Sequence, residues 1–174
     1  RRRLIQVLGI PGVESVAPVY IGRAPWRNPE TPADVRNIFM VGFDPSDRVF
    51  AIDEVNDNLD RILLPDKVLF DARSRPEFGP IAESYRESGT VETEVANRTL
   101  EVVGLFELGT SFGINASIAT SDLNFRRILP QREPGRIDLG LIRLEPGRDP
   151  GAMRGSIAAS IPGDVEILTR EAFI

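Results

Sequence analysis

The chain has 174 residues, of which 41% are hydrophobic and 27% charged, and its formal net charge is −5. These values are ordinary for a globular protein with one domain or two small lobes, and the negative charge argues against a general nucleic-acid-binding role. The sequence contains neither Cys nor His, which excludes cysteine nucleophiles, disulfides, histidine acid–base catalysis and Cys/His zinc sites.

The sequence predicts both helices and strands. Apolar residues with helical spacing predict a first helix over residues 1–9, which Pro11 ends. Strands are predicted where apolar and β-branched residues run together, at 13–23, 35–43, 67–70, 90–95, 99–107, 117–119, 137–144 and 165–168. Further helices are predicted at 76–88, at 121–129 with Ser121 or Asp122 as its cap, and at 149–160 with Asp149 as its cap. The acidic stretch 46–65 is predicted to be irregular.

The two ends of the chain carry a related unit. Residues 10–12 and 161–163 both read Ile-Pro-Gly, and each triplet stands between a predicted helix and a predicted strand. This repeat predicts an α+β fold in which residues 1–45 and 134–174 form one split, ferredoxin-like lobe, with a first strand expected upstream. Residues 46–133 are then expected to form an inserted, β-rich lobe. A chain that starts without Met and shows this layout is expected to be a fragment of a longer protein.

Three patterns superficially resemble functional sites. The acidic stretch 53–60 lacks the central Gly and the closing Glu of a calcium-binding loop. Glu92, Glu94 and Glu101 alternate with Thr and Val, which indicates the solvent face of a hairpin rather than a catalytic carboxylate pair. The glycines within 104–113 match no phosphate-binding motif. No catalytic, cofactor-binding or metal-binding residue is predicted, and the chain is not expected to be an enzyme.

Apolar side chains near two turns are candidate partner contacts. Trp26 stands between Pro25 and Pro29 in a predicted hairpin tip, where it either anchors a partner or caps the core. Phe112 and Ile114 belong to a predicted flexible, Gly-rich tip, which either contacts a partner or hydrophobic substrate or packs locally. The sequence therefore offers these three residues, Trp26, Phe112 and Ile114, as candidate contacts.

Five stretches of the chain resemble a known family. They are 12–20 (GVESVAPVY), 70–80 (FDARSRPEFGP), 103–106 (VGLF), 121–125 (SDLNF) and 137–144 (IDLGLIRL). These stretches resemble the extracytoplasmic domain of DevC-type ABC exporter permeases, within the MacB-like and FtsX-like superfamily. The second stretch is the most specific of the five, and the first is shared more loosely with MacB-like permeases.

The resemblance implies a periplasmic domain between the first two of four transmembrane helices in a homodimeric permease of the inner membrane. It also implies a porter-like α/β lobe with an inserted lobe called the sabre, which agrees with the layout predicted from the terminal repeat. The implied partners are a separate ATPase subunit, a membrane-fusion adaptor and, indirectly, a TolC-like channel. In cyanobacteria, DevC-type systems are linked to glycolipid export. The family supplies no catalytic residue and no cofactor for this domain.

The expected function is therefore the coupling of cytoplasmic ATP hydrolysis to the adaptor and channel, for export of a lipid-like substrate such as a glycolipid. Two alternatives stay open. One is a periplasmic domain that binds a lipid or peptide ligand between its lobes, and the other is the permease of a lipoprotein-release system. A hydrolase is disfavoured because the chain lacks His and Cys.

Overall fold

The computed structural model describes residues 2–109 and 113–173. The contacts between residues divide the chain into two compact units. One unit consists of Arg1–Pro18 and Gly140–Ile174, and the other of Val19–Leu139. In the described ranges, no helix combines the length and the apolar character needed to cross a bilayer.

Helices and strands occur in short groups along the chain. In the described residues the helices are α1 (Arg2–Leu8), α2 (Asp53–Asn56), α3 (Leu59–Ile62), α4 (Ile81–Ser88), α5 (Asp122–Ile128), α6 (Pro150–Ser160) and α7 (Arg170–Phe173). The strands are β1 (Val13–Arg27), β2 (Val35–Phe43), β3 (Lys67–Asp71), β4 (Val91–Val95), β5 (Arg98–Phe106), β6 (Ser117–Ser121) and β7 (Leu139–Leu144). Short 3₁₀ turns lie at Pro45–Asp47 and Pro76–Phe78. The strand order is β2-β6-β3-β5-β4-β1-β7, and β1 also pairs with β2.

Strands β1 to β6 pair in a closed ring. Strand β1 runs antiparallel to β2, which continues parallel to β6. Strand β3 pairs antiparallel with β6 and parallel with β5. Strand β4 pairs antiparallel with β5 and closes the ring on β1, through the pairs Trp26↔Val95 and Arg27↔Glu94. The ring is closed, but β2 pairs with β6 only from Phe39 onwards, so the first half of β2 is paired on the β1 side alone.

Side chains from every strand of this ring form the larger core. Its strand residues are Tyr20, Ala24, Trp26, Ile38, Met40, Val68, Phe70, Val95, Leu100, Val102 and Ile118. The alternation along β1 and β2 follows from the two-residue period of a strand. Helix α5 adds Phe125, which lies so close to β2 that a Cβ on Gly42 would stand 2.5 Å from the Phe125 Cβ. Only glycine allows this approach.

A second core lies between the short helices α2 and α3 and strands β2, β3, β5 and β6. Its buried residues are Phe43, Val55, Leu59, Ile62, Leu69, Val103, Phe106 and Ala119. The prediction that 46–65 is irregular was therefore wrong. The apolar spacing of Val55, Leu59 and Ile62 is helical, but the polar residues around it hide the pattern in sequence.

The unit formed by the two chain ends has its own small core. Helices α1 and α6 and the start of β1 bury Val7, Val13, Met153, Ile157 and Ile161 together. Helix α6 begins as the sequence predicts. The Asp149 Oδ2 accepts a hydrogen bond from the Ala152 N–H at 2.6 Å, and proline occupies the first helical position.

Two local predictions differ from the structure. Strand β1 extends through the proline-rich segment to Arg27, so the turn of the first hairpin covers only 28–34. Residues 165–168, predicted as a strand, have no regular structure. The Ile167 carbonyl instead accepts a hydrogen bond from Arg154 Nε at 2.9 Å, so a side chain replaces a strand partner there. The terminal repeat therefore shares its Ile-Pro-Gly turn but not the strand after it.

The contact division also differs from the predicted lobe boundaries. The sequence predicts lobe boundaries after residues 45 and 133. In the structure, the chain passes from one compact unit to the other after Pro18 and after Leu139. The physical reason is the parallel pairing of β2 with β6, which joins the first hairpin to the middle of the chain. A parallel pairing over such a separation leaves no local trace in the sequence.

Candidate partner-binding site

Trp26 is a core residue. Its side chain is 0% exposed, its ring centroid lies 5.3 Å from that of Phe70, and its Nε1 donates a hydrogen bond to the Phe78 carbonyl oxygen at 2.9 Å. The prediction of an exposed partner contact at Trp26 is therefore wrong, and the alternative of a core residue is correct. Because β1 continues through Pro25, the indole faces the inside of the ring instead of standing at a tip.

The other two candidate contacts have different outcomes. Phe112 lies outside the described residues. Ile114 is half-buried and lines a cleft of about 360 Å³ in the Val19–Leu139 unit. We call this the β2 cleft, because it lies between the first half of β2, the 3₁₀ turn Pro76–Phe78 and residues 113–116.

The β2 cleft has an apolar floor. Phe78 and Ala116 are 3% exposed there, and Phe39 and Ile114 are half-buried beside them. The Phe39 N–H donates to the Ala116 carbonyl at 3.0 Å, which holds β2 against the 113–116 wall. The cleft therefore offers a limited apolar surface that is backed by the larger core.

The rim of the β2 cleft is polar. The side chains of Arg36, Asn37, Glu77 and Asn115 line it, and none of them forms a hydrogen bond or ion pair with the described part of the chain. Arg23 also lines the cleft, and its Nη2 donates to the Gly113 carbonyl at 3.0 Å. Two guanidinium groups thus face one carboxylate and two amides, in a chain whose net charge is negative.

A buried carboxylate organises the strand end next to the cleft. Asp71 is 1% exposed, and its oxygens accept hydrogen bonds from the backbone N–H groups of Arg73, Leu108 and Gly109 at 3.0, 3.2 and 3.0 Å. The Ser117 hydroxyl donates to the same carboxylate at 3.1 Å. Four donors compensate for the lost hydration of the charge, so Asp71 ties the ends of β3 and β5 to the start of β6.

The 70–80 stretch, the most specific part of the family resemblance, contributes both to the core and to the lining of the β2 cleft. Its Phe70 packs on the core indole and its Phe78 supplies the carbonyl that the indole binds. Gly79 has a φ of +100°, and a Cβ on it would lie 2.9 Å from Asn28 Oδ1. These contacts hold the turn against the end of β1.

The 121–125 stretch stabilises the fold through a helix cap and a buried amide. The Ser121 Oγ accepts a hydrogen bond from the Asn124 N–H at 3.2 Å, which confirms the predicted cap. The buried Asn124 amide donates to the carbonyls of Ile62 and Leu64 at 3.0 and 2.9 Å. Sequence reasoning missed this role and that of Asp71. The available signal was a polar residue placed among apolar ones.

The acidic residues of 53–60 do not form a metal site in this structure. Within 2–109 and 113–173, no group of three or more carboxylates is arranged to hold a metal ion. Two asparagines of the same stretch stabilise it locally, since the Asn58 amide donates to the Glu54 backbone carbonyl at 2.8 Å and the Asn56 amide to the Phe50 carbonyl at 3.0 Å.

No family model and no curated protein sequence matches this chain. Its structure is similar to the crystal structure of the extracellular domain of the ABC-type transporter YknZ from Gram-positive bacteria. That match has a TM-score of 0.61 and 13% identity, and it covers 91% of this chain and 80% of the other. The periplasmic region of MacB from Actinobacillus actinomycetemcomitans matches with a TM-score of 0.59 and 10% identity, over 91% of this chain and 70% of the other. The chain thus has the mixed α/β fold of the MacB periplasmic domain, with a seven-stranded mixed sheet in the described residues.

Proposed function

We propose that this chain is the extracytoplasmic domain of an ABC transporter permease. The observation that carries the proposal is the similarity in fold to the YknZ and MacB domains over 91% of the chain. The five sequence stretches that resemble DevC-type permeases support it independently of the structure. The Arg1–Pro18 and Gly140–Ile174 unit corresponds in this proposal to the porter-like lobe, and the Val19–Leu139 unit to the sabre-like lobe.

The proposed mechanism is mechanical coupling. A separate ATPase subunit hydrolyses ATP, the membrane helices of a homodimeric permease move, and this domain passes the motion to a membrane-fusion adaptor and a TolC-like channel. The construction of the Val19–Leu139 unit supports a rigid role. Six strands pair in a closed ring, and helix α5 packs tightly against Gly42. A closely packed body of this kind transmits a displacement with little deformation.

The proposed location is the periplasmic face of the inner membrane, and the proposed substrate is lipid-like, such as a glycolipid. The substrate rests on the DevC resemblance alone. The competing function is a periplasmic ligand-binding domain, which the β2 cleft favours because its polar rim has unpaired side chains in the described chain.

Adaptor binding tests the coupling function directly. The 174-residue chain is immobilised, and the adaptor encoded beside its gene is passed over it. We expect saturable binding that Ile114→Ser weakens about tenfold, because apolar contacts at a cleft wall are typical interface anchors. Leu141→Ser, at a residue 40% exposed in the other unit, serves as a control and should leave the affinity unchanged. An unaltered affinity for Ile114→Ser would remove Ile114 from the interface.

The gene sequence on both sides of the chain tests the transporter assignment itself. A permease of this type requires one apolar run of about 20 residues before the domain and three after it. Polar flanks would reject the permease and leave the ligand-binding domain as the better proposal. Membrane helices without an adaptor gene nearby would favour lipoprotein release over export.

A further inference from the structure

We propose that the β2 cleft binds an extended segment of a partner protein through a carboxylate side chain of that segment. This inference rests on the geometry and charge of the cleft, and it does not depend on the transporter assignment.

The first step is the charge of the rim. Arg36 has no ion pair or hydrogen bond with the described residues, although ion pairs elsewhere hold arginines such as Arg27 and Arg98. Arg23 is oriented by the Gly113 carbonyl through one nitrogen, and its remaining N–H groups have no other hydrogen-bond partner in the described residues. A guanidinium group recognises a carboxylate through two parallel hydrogen bonds, so this pair of arginines suits an acidic side chain.

The second step is the choice between a carboxylate and a phosphate. Glu77 lines the same cleft, and its carboxylate has no partner in the described chain. A second negative charge in the cleft disfavours a dianionic phosphate, whereas a monoanionic carboxylate leaves the local balance of charges close to neutral. Glu77 can instead accept hydrogen bonds from backbone N–H groups of a bound segment.

The third step is the match to a peptide backbone. The side-chain amides of Asn37 and Asn115 are unpaired within the described residues, and each offers both a donor and an acceptor. A bound peptide group has an N–H that donates and a C=O that accepts, so it needs both an acceptor and a donor nearby. The floor formed by Phe39, Phe78 and Ile114 accommodates an apolar side chain next to the acidic one. The volume of about 360 Å³ lies low in the roughly 300–1,000 Å³ range of ligand clefts, which suits a short segment.

Short capped peptides test the inference without any natural partner. The isotope-labelled chain is titrated with acetyl-Leu-Glu-Leu-amide and with acetyl-Leu-Gln-Leu-amide, and amide chemical shifts are recorded at low salt. We expect the Glu peptide to shift the resonances of 36–39 and 113–116 and to bind at least about threefold more tightly than the Gln peptide. Equal binding of the two peptides, or shifts elsewhere on the chain, would overturn the proposal.

Matched arginine variants separate the site from general charge attraction. Arg36→Gln should weaken binding of the Glu peptide about threefold to tenfold. Arg143→Gln removes an exposed arginine of β7 that also has no partner in the described residues, and it should have no effect. If both variants lose the same affinity for the Glu peptide, the binding is a general attraction between opposite charges, and the proposed site is wrong.

The same titration with inorganic phosphate and with vesicles of anionic phospholipid checks the proposed ligand class. If phosphate and vesicles cause only small chemical-shift changes, and Arg36→Gln does not alter them, the result supports a segment with a carboxylate side chain as the ligand. Displacement of the Glu peptide by phosphate or vesicles at lower concentration than the peptide itself would overturn it. These results do not involve the adaptor, so failure of adaptor binding and failure of this site are distinguishable.

Discussion

The Trp26 Nε1 donates a hydrogen bond to the Phe78 carbonyl oxygen at 2.9 Å, and both side chains are buried. The bond joins β1 to the 3₁₀ turn Pro76–Phe78, which is 52 residues further along the chain. Because that turn forms one wall of the β2 cleft, the hydrogen bond from the buried indole helps to hold that wall in place.

Replacing Trp26 tests the contribution of this bond. Trp26→Phe keeps an aromatic ring in the core but leaves the Phe78 carbonyl without its donor, so we expect a loss of about 1–3 kcal/mol in the free energy of unfolding. Trp26→Ala also removes the ring and should cost about 3–5 kcal/mol. Urea unfolding followed by circular dichroism measures both values. Wild-type stability for Trp26→Phe would show that the bond contributes nothing.

The Asp71 carboxylate should hold the strand ends through its charge. In Asp71→Asn the amide group presents N–H donors to backbone N–H groups, so we expect a loss of about 2–4 kcal/mol. Hydrogen exchange at the Leu108 and Gly109 amides should accelerate more than exchange elsewhere. Asp60→Asn, at an exposed position of α3, is the control and should change neither quantity appreciably. Unchanged exchange at Leu108 and Gly109 would refute the anchoring role.

Close packing at Gly42 should make a single methyl group costly. A Cβ at this position would overlap Phe125, so we expect Gly42→Ala to destabilise the chain by about 1–3 kcal/mol. Gly155 lies within α6 with no atom near its added Cβ. Gly155→Ala should therefore stabilise the chain by about 0.5–1 kcal/mol. Thermal unfolding compares the two variants, and a neutral Gly42→Ala would mean that α5 shifts freely on β2.

The Arg3–Asp164 ion pair predicts a specific dependence on pH. Arg3 makes three donor contacts to the Asp164 carboxylate oxygens at 3.1 to 3.2 Å, and these lower the pKa of Asp164 below its ordinary value. Because the pKa is lower in the folded state, the pair stabilises the fold above the unfolded pKa, and this stability is lost as the pH falls through the folded value. The effect is small because both side chains are partly exposed.

An NMR titration of the side-chain carboxyl carbons checks this pH dependence. Arg3→Gln should raise the pKa of Asp164 towards the ordinary value of an aspartate, while Arg143→Gln should leave it unchanged. If the pKa of Asp164 is the same in Arg3→Gln as in the wild type, the ion pair does not exist in solution.

Much of the local structure was predictable from short stretches of residues. Asp149 followed by Pro150 predicts the start of α6, Ser121 predicts the cap of α5, and the three residues Ala96-Asn97-Arg98 between the predicted strands 90–95 and 99–107 indicate a tight hairpin turn. In the structure Ala96 and Asn97 have φ angles of 51° and 61°, as a tight hairpin turn requires. These features depend on neighbours within about four residues, so the sequence by itself determines them.

Tertiary structure alone decided where the proposed binding surface lies. Whether Trp26 faces solvent or core depends on the extension of β1 and on the closure of the ring by β4, which joins residues far apart in sequence. The β2 cleft likewise exists because the parallel pairing of β2 with β6 brings 113–116 beside Arg36. Strand pairing over long separations is selected by the packing of the whole core, and no local pattern of residues encodes it.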